Sequence, residues 1–310
     1  MFPGQGAQAV GMGRALAEAF PICRDTFAEA DAALGFALSD VIFNGPAERL
    51  TLTEITQPAI LTTSVAAYRL LASRGVAPAM VAGHSLGEYS AHVAAGTFAF
   101  ADAVRIVHHR GQYMQEAVPV GTGAMAAILG GDEALVAQAC AEAADGEVVS
   151  PANLNAPGQI VIAGAAAAVA RAGERSKALG AKRVIPLQVS APFHCALMQP
   201  AEARLAPELR AMAVEAPRVP VVANVDAQPR TDAPSAIEAL IRQVSAPVRW
   251  EDCVRRLASD GATAYVEVGP GTVLSGLIRK IARDAVVLNL DSPDGLAAIE
   301  ALAAGATGTR

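Results

Sequence analysis

The stretch "VAGHSLGEYSA", residues 81–91, holds Gly83-His84-Ser85-Leu86-Gly87, a G-x-S-x-G pentapeptide. In a chain with 27 glycines the pentapeptide alone is only suggestive. Its flanks decide the reading. Before it runs "VAPAMVAG", a short apolar segment bounded by Pro78 and Gly83, which reads as a buried strand. After it runs "EYSAHVAAGTF", whose alanines favour a helix. Strand, tight turn and helix are the setting of a nucleophile elbow. The turn needs dihedrals and close strand–helix approach that a Cβ would obstruct, which assigns a reason to Gly83 and Gly87. It also sets Ser85 at a helix N-terminus, where the dipole favours developing negative charge.

The 310 residues are enough for a large core and one big domain with a smaller insert. Hydrophobic residues make up 53% and charged residues 17%, which describes a globular chain. No apolar run approaches the length of a membrane span. "MFPGQGAQ" has no basic or apolar signal region, so no secretory signal is read there. Cys23, Cys140, Cys195 and Cys253 lie far apart with no C-x-x-C spacing. That argues against a zinc site or a disulfide framework and fits a reducing cytosol, so a cytoplasmic protein without a metal is expected. The net charge of −6 gives no overall pull toward nucleic acid.

Only Met1 and Phe2 precede the glycine-rich "PGQG", whereas such a loop in an α/β protein follows a full strand. The expectation is a clipped first strand or a start assigned late. "GMGRALAEAFPICRDTFAEADAAL" has helical composition broken at Pro21. "ERLTLTEITQPAILTTSVAAYRLLASRG" predicts a helix opened at Thr56-Gln57-Pro58, with the proline in the first turn, and closed by Gly75. "ADAVRIVHHRGQYMQEAV" predicts another. From about Pro119 the texture changes to β-α-β-β-α-β within about seventy residues, a ferredoxin-like order. The fold predicted is α/β: a large α/β-hydrolase-like domain with a parallel sheet, from 1–116 and 191–310, and a small inserted ferredoxin-like domain, 117–190. Downstream, "VPVVANVD" and "TAYVEVGPG" read as strands, and "SAIEALIRQVS", "WEDCVRRLASDG" and "TVLSGLIRKIARD" as helices. The tail "ALAAGATGTR" reads as frayed.

A nucleophilic serine needs a base, and the chain has 5 histidines. His84 adjoins the serine, but adjacent side chains diverge on such a turn. His108 and His109 sit together on a helix, where solvated or packed histidines are common. His194 lies in "VSAPFHCAL", a proline-marked turn just after the insert, and is the candidate base.

"FPGQGAQ", "GHSLGEYSA", "RGQYMQ", "GAMAAI", "PFHC", "NVDA", "PVRW" and "VGPG" occur in the order and spacing of malonyl-CoA:acyl-carrier-protein transacylases, and the chain resembles that family from Phe2 to about Ala282. The resemblance implies a ping-pong transfer: Ser85 takes malonyl from coenzyme A and passes it to the phosphopantetheine thiol of acyl carrier protein, with His194 moving the proton. It implies an oxyanion hole of the Gln5 and Leu86 backbone N–H groups, and Arg110 binding the malonyl carboxylate through a bidentate fork. Met114 and Phe193 line the acyl site in this reading, and the bulk of Phe193 crowds a branched acyl group. It gives His194 no acid such as Asp102 or Asp132; a main-chain carbonyl at Gln243 orients it instead. No resident cofactor is implied, and the family is usually monomeric. Acyl carrier protein is acidic, so candidate docking residues are Arg279 and Lys280, with Lys177, Lys182 and Arg183 in the small domain.

Two other classes stay open on sequence. An α/β-hydrolase would share the elbow but needs an acid at the histidine and leaves Arg110 and the insert without a role. A non-catalytic carrier-protein-binding module is disfavoured by intact Ser85, His194 and Arg110. The same chemistry could also serve polyketide synthesis or malonate decarboxylase assembly.

Overall fold

The computed structural model describes residues 1–307 except Val120 and Ser190. Its centre is the helix Thr53–Ser73, buried almost throughout from Thr53 to Ala67. A helix buried on every side belongs in the interior of a large domain, and this one packs against Phe100–Glu116 and Pro21–Leu34. Pro58 sits inside it, not in its first turn, because the helix begins at Thr53. A proline there leaves the carbonyl four residues back without its helical donor. That carbonyl, Glu54 O, is taken by His108 Nδ1 at 2.8 Å. Proline alone marked a start; a neighbouring helix supplied the hydrogen bond that lets the helix run through it.

The strands of the large layer are short. β1 (Val81–Ala82) pairs in parallel with β6 (Val221–Val222), which pairs antiparallel with β7 (Pro229–Arg230). β8 (Ala264–Val268) pairs in parallel with β9 (Val286–Leu290), a strand not foreseen from sequence. Met1 and Phe2 link the two groups. Phe2 N donates to Ala82 O at 3.0 Å and His84 N to Phe2 O at 3.0 Å, while Val268 N donates to Met1 O at 2.8 Å. The α/β class is therefore as expected, with "VPVVANVD" contributing only a two-residue strand before it turns.

Between the halves of this layer lie β2 (Gly123–Leu129), helix Glu133–Ala143, β3 (Val149–Ala156), β4 (Gln159–Ala165), helix Ala166–Ala178 and β5 (Arg183–Pro186). The sheet order is β3-β4-β2-β5 with every pair antiparallel, the ferredoxin-like topology. Leu154 N donates to Val248 O and Val248 N to Ala152 O, both at 2.9 Å, tying this sheet to the segment before helix Trp250–Ser259. The end of the chain is not frayed up to Thr307: Leu296–Thr307 is helical, with Ile299 buried. Gly308, Thr309 and Arg310, which the expectation of fraying also covered, lie outside the described residues.

The elbow is where backbones meet most closely. A Cβ on Gly87 would stand 2.0 Å from the Phe2 carbonyl oxygen, and one on Gly83 would stand 1.9 Å from the Gly87 carbonyl. Gly87→Ala should therefore lower stability by ~3 kcal/mol, roughly 5 °C in Tm, since backbone cannot yield as a side chain does. Gly276→Ala, in a helix with nothing within 4 Å, should be neutral or stabilising. Thermal denaturation followed by circular dichroism separates the two; equal Tm values would refute the close-approach argument.

Candidate active site

The elbow places Ser85 at the N-terminus of helix Leu86–Ala94 with φ 51° and ψ −108°, a conformation rare for a residue with a Cβ. Such strain persists only where surroundings over-determine it. Here Asn224 does so. Its Oδ1 accepts from Ser85 N at 2.7 Å and its Nδ2 donates to Gly83 O at 2.7 Å, bracketing the turn from below.

Ser85 Oγ lies 2.7 Å from His194 Nε2. His194 Nδ1 lies 3.0 Å from the main-chain oxygen of Gln243. A carbonyl only accepts, so Nδ1 carries the proton and the Nε2 lone pair faces the serine hydroxyl. Asp102 and Asp132 are engaged elsewhere: the first with Arg105, the second capping helix Glu133–Ala143 through Leu135 N. Burial, with the nearby charge of Arg110 second, pushes the His194 imidazole down to about 3. It is therefore neutral, and a proton acceptor, far into the acid range.

Arg110 is 1% exposed, an unusual place for a guanidinium. Its NH1 donates to Gln57 Oε1 at 2.7 Å; its NH2 donates to Gln243 Oε1 at 3.0 Å and to Ser85 Oγ at 3.2 Å. The Tyr89 ring lies 5.4 Å away, in cation–π range. Among the described residues no carboxylate makes an ion pair with it. The cation is thus held by neutral amide oxygens at the nucleophile, its charge not paired off.

Gln5, Met114 and Phe193 line the same cleft as Ser85, His194 and Arg110, a cavity of about 780 Å³ walled on its far side by Met125, Asn153 and Leu187. The N-terminal loop reaches the elbow because Gly4 has no Cβ: one would stand 2.3 Å from His84 O. Leu86 N opens the helix beside Ser85, and among the described residues neither it nor Gln5 N has a hydrogen-bond acceptor within the protein. The docking candidates Arg279, Lys280, Lys177, Lys182 and Arg183 are all exposed. Lys177 is paired with Glu174, and Lys280 Nζ reaches Gln159 Oε1 at 2.9 Å.

Sequence reasoning missed three members of the site. Gln57 holds Arg110 and also contacts Met114 Sδ at 3.7 Å; its signal was an amide in an apolar helix. Asn224 opens "NVDA", and Glu88 lies within the elbow stretch itself. Glu88 is fully buried, and burial pushes its carboxyl up to about 7 against the hydrogen bonds it accepts from Gln243 and Asn224.

A sequence model of the acyl transferase domain family matches residues 1–292. The chain belongs to the acyl transferase domain family. A malonyl CoA-acyl carrier protein transacylase of Escherichia coli K12 is 55% identical over 299 residues, covering 96% of this chain and 97% of that one. The Bacillus subtilis protein of the same name is 49% identical over 295 residues, covering 95% and 93%. Among solved structures, an acyl carrier protein S-malonyltransferase from Vibrio cholerae matches with a TM-score of 0.94 at 49% identity, covering 96% and 98%. A malonyl-transacylase solved in complex with its type II PKS acyl-carrier protein matches with a TM-score of 0.95 at 47% identity, covering 97% and 98%. The protein is an acyltransferase enzyme by this membership.

The depressed imidazole has a kinetic signature. A base neutral down to low pH keeps its activity where an ordinary histidine would be protonated, so the acid limb moves down, not up. Labelling of Ser85 by an uncharged sulfonyl fluoride should have its acid midpoint below about pH 5. A midpoint at the ordinary histidine value, about 6.5, would contradict the buried, neutral assignment.

Proposed function

We propose that the protein transfers malonyl from malonyl-CoA to the phosphopantetheine thiol of acyl carrier protein through a malonyl-serine intermediate. The observation that carries this is Arg110, a buried cation 3.2 Å from the Ser85 oxygen with no carboxylate paired to it among the described residues. Malonyl-CoA brings that carboxylate. Acetyl-CoA shares the thioester and coenzyme A but would leave the guanidinium unpaired.

In this reading Ser85 Oγ attacks the thioester carbonyl as its proton passes to His194 Nε2. The main-chain oxygen of Gln243 holds the ring in the tautomer that accepts it. The tetrahedral oxyanion sits against the N–H groups of Gln5 and Leu86. The imidazolium returns the proton to the departing thiolate, and coenzyme A leaves. The pantetheine thiol then gives its proton to His194 and attacks the malonyl ester, and His194 passes that proton to Ser85 Oγ as it leaves, regenerating the serine and the neutral imidazole. The chemistry needs no resident cofactor, because the carrier protein brings its own pantetheine. Met114 and Phe193 bound the acyl group. The names of the relatives support the substrates, and supply of malonyl for fatty-acid elongation is the role we assign, with type II polyketide synthesis the second reading because one similar transacylase is solved with such a carrier protein.

We take 117–190 as the small domain and 1–116 with 191–310 as the catalytic one. A separate apolar cluster under the antiparallel sheet, including Ile128, Val136, Ile162 and Ala172, supports the division. Among the described residues no helix is long and apolar enough to cross a membrane, and four free, buried cysteines fit the reducing cytoplasm in which we place the protein, as a monomer like its family.

Ser85→Ala should lower transfer by thousands-fold or more (~10³ upward) and abolish the malonyl adduct seen by mass spectrometry. In Arg110→Ala, kcat/KM for malonyl-CoA should fall by orders of magnitude while acetyl transfer holds or rises, since a polar contact discriminates by up to ~10⁴-fold. Arg110→Lys should rescue only in part, because an ammonium cannot reproduce the fork. Equal losses for malonyl and acetyl would assign the carboxylate to another residue.

The carrier protein, in this proposal, docks on basic side chains of a chain that is acidic overall. Reversing Arg279 and Lys280 to Glu should raise KM for carrier protein, leave KM for malonyl-CoA unchanged and flatten the salt dependence of association. Unchanged carrier-protein kinetics would shift docking to Lys177, Lys182 and Arg183.

A further inference from the structure

We propose that Glu88 is a positioning residue: it fixes the side-chain amide of Gln243 and, through that amide, the guanidinium of Arg110 beside Ser85. This rests on the reading of Arg110 as the partner of the acyl carboxylate.

Gln243 touches three parts of the site at once. Its main-chain oxygen receives His194 Nδ1, its Oε1 receives Arg110 NH2 at 3.0 Å, and its Nε2 donates to Ser85 O at 2.9 Å and Glu88 Oε2 at 2.8 Å. A glutamine amide has two orientations that fill nearly the same space, one with the oxygen and one with the nitrogen at a given place. Only one serves here. Turned over, it would aim an NH₂ at the guanidinium and an oxygen at the Ser85 carbonyl, two repulsive contacts in a buried site.

Glu88 biases that choice. Its Oε2 also receives Asn224 N at 3.0 Å, so the acceptor is clamped from a second element. Its Oε1 has no partner among the described residues, which leaves Oε2 carrying the contacts. Asn224 in turn brackets Ser85 and Gly83. That bracket is made by the Asn224 side chain, whereas Glu88 Oε2 holds only the Asn224 main-chain N–H, so the direct side-chain contact of Glu88 is with the amide that presents the arginine. Glu88, Gln243 and Asn224 are each buried completely, so no solvent substitutes for a lost partner. Glu88 touches neither reacting atom, and its effect falls on the placement of Arg110. A misplacement of about 1 Å at such a group lowers rate by as much as ~100-fold.

The test compares wild type with Glu88→Ala, Glu88→Asp, Glu88→Gln and Arg110→Ala on two readouts. One is kcat/KM for malonyl transfer from malonyl-CoA to carrier protein. The other is the rate of Ser85 labelling by phenylmethylsulfonyl fluoride, an uncharged reagent that uses the serine and histidine and brings no carboxylate to the arginine. Arg110→Ala should lose malonyl transfer by orders of magnitude and labelling by far less, through the lost hydrogen bond to Ser85 Oγ alone. Glu88→Ala and Glu88→Asp, which remove or withdraw the acceptor, should lose malonyl transfer by ~100-fold and keep labelling within about 3-fold. Glu88→Gln offers its amide oxygen in place of Oε2 and should stay within about 5-fold of wild type on both. If Glu88→Ala fails to fold, Glu88→Asp and Glu88→Gln carry the same contrast. The proposal fails if malonyl transfer and labelling fall together in the folded variants, if neither falls, or if Glu88→Gln is as impaired as Glu88→Asp. In those cases Arg110→Ala still shows its selective loss. Should Arg110→Ala itself keep malonyl transfer, the carboxylate reading falls and this proposal with it.

Discussion

Everything at the site depends on three backbones approaching closer than side chains allow. The N-terminal loop, the turn 83–87 and the start of helix Leu86–Ala94 meet where Gly4, Gly83 and Gly87 have no Cβ. The hydrogen bonds of Phe2 with Ala82 and His84 fix the loop on the elbow. Without that approach Gln5 would not reach the cleft, and the strained φ of Ser85 would have no frame holding it. The glycines are a steric requirement of the contact, not a flexibility built into the loop.

Below that contact the interior is polar, which is costly unless every group is met. A buried guanidinium loses several kcal/mol of hydration, and attraction to a fixed carboxylate would ordinarily offset it. Here the offset comes from the carbonyl oxygens of Gln57 and Gln243 and from the Tyr89 ring. Neutral acceptors stabilise the cation without neutralising it. A direct ion pair would stabilise Arg110 better and leave it less able to pair with a ligand. Glu88 lies one hydrogen bond further back, and its carboxyl is pushed up to about 7 because burial outweighs its donors, so little fixed negative charge stands behind the arginine.

The two sheets divide the work between them. The short parallel strands of the large layer end at the elbow, so the reacting groups sit on backbone held from several sides. The antiparallel sheet faces them across the cleft with Met125, Asn153 and Leu187. The link from Ala152 and Leu154 to Val248, and the His84–Asn155 hydrogen bond at 2.8 Å, hold that wall against the nucleophile's own turn.

The sequence by itself determined the elements whose signals are local. Strand, glycine turn and alanine-rich helix located Ser85; the proline-marked turn nominated His194; alternating strands and helices with turn residues between them spelled out the ferredoxin-like order. It also marked Pro21 as a break, correctly, and Pro58 as a helix start, wrongly. The difference lay outside the helix, in a histidine 50 residues on that accepts the role of the missing donor for Glu54 O. Tertiary structure decided the partners of the polar groups. Gln57, Glu88 and Gln243 come from three separate helices and Asn224 from the turn after β6, and no periodicity or spacing links one to another. A side-chain amide or carboxyl has no preferred neighbour along the chain. Only the folded arrangement, which leaves each of them buried and in need of a hydrogen bond, states which distant atom supplies it.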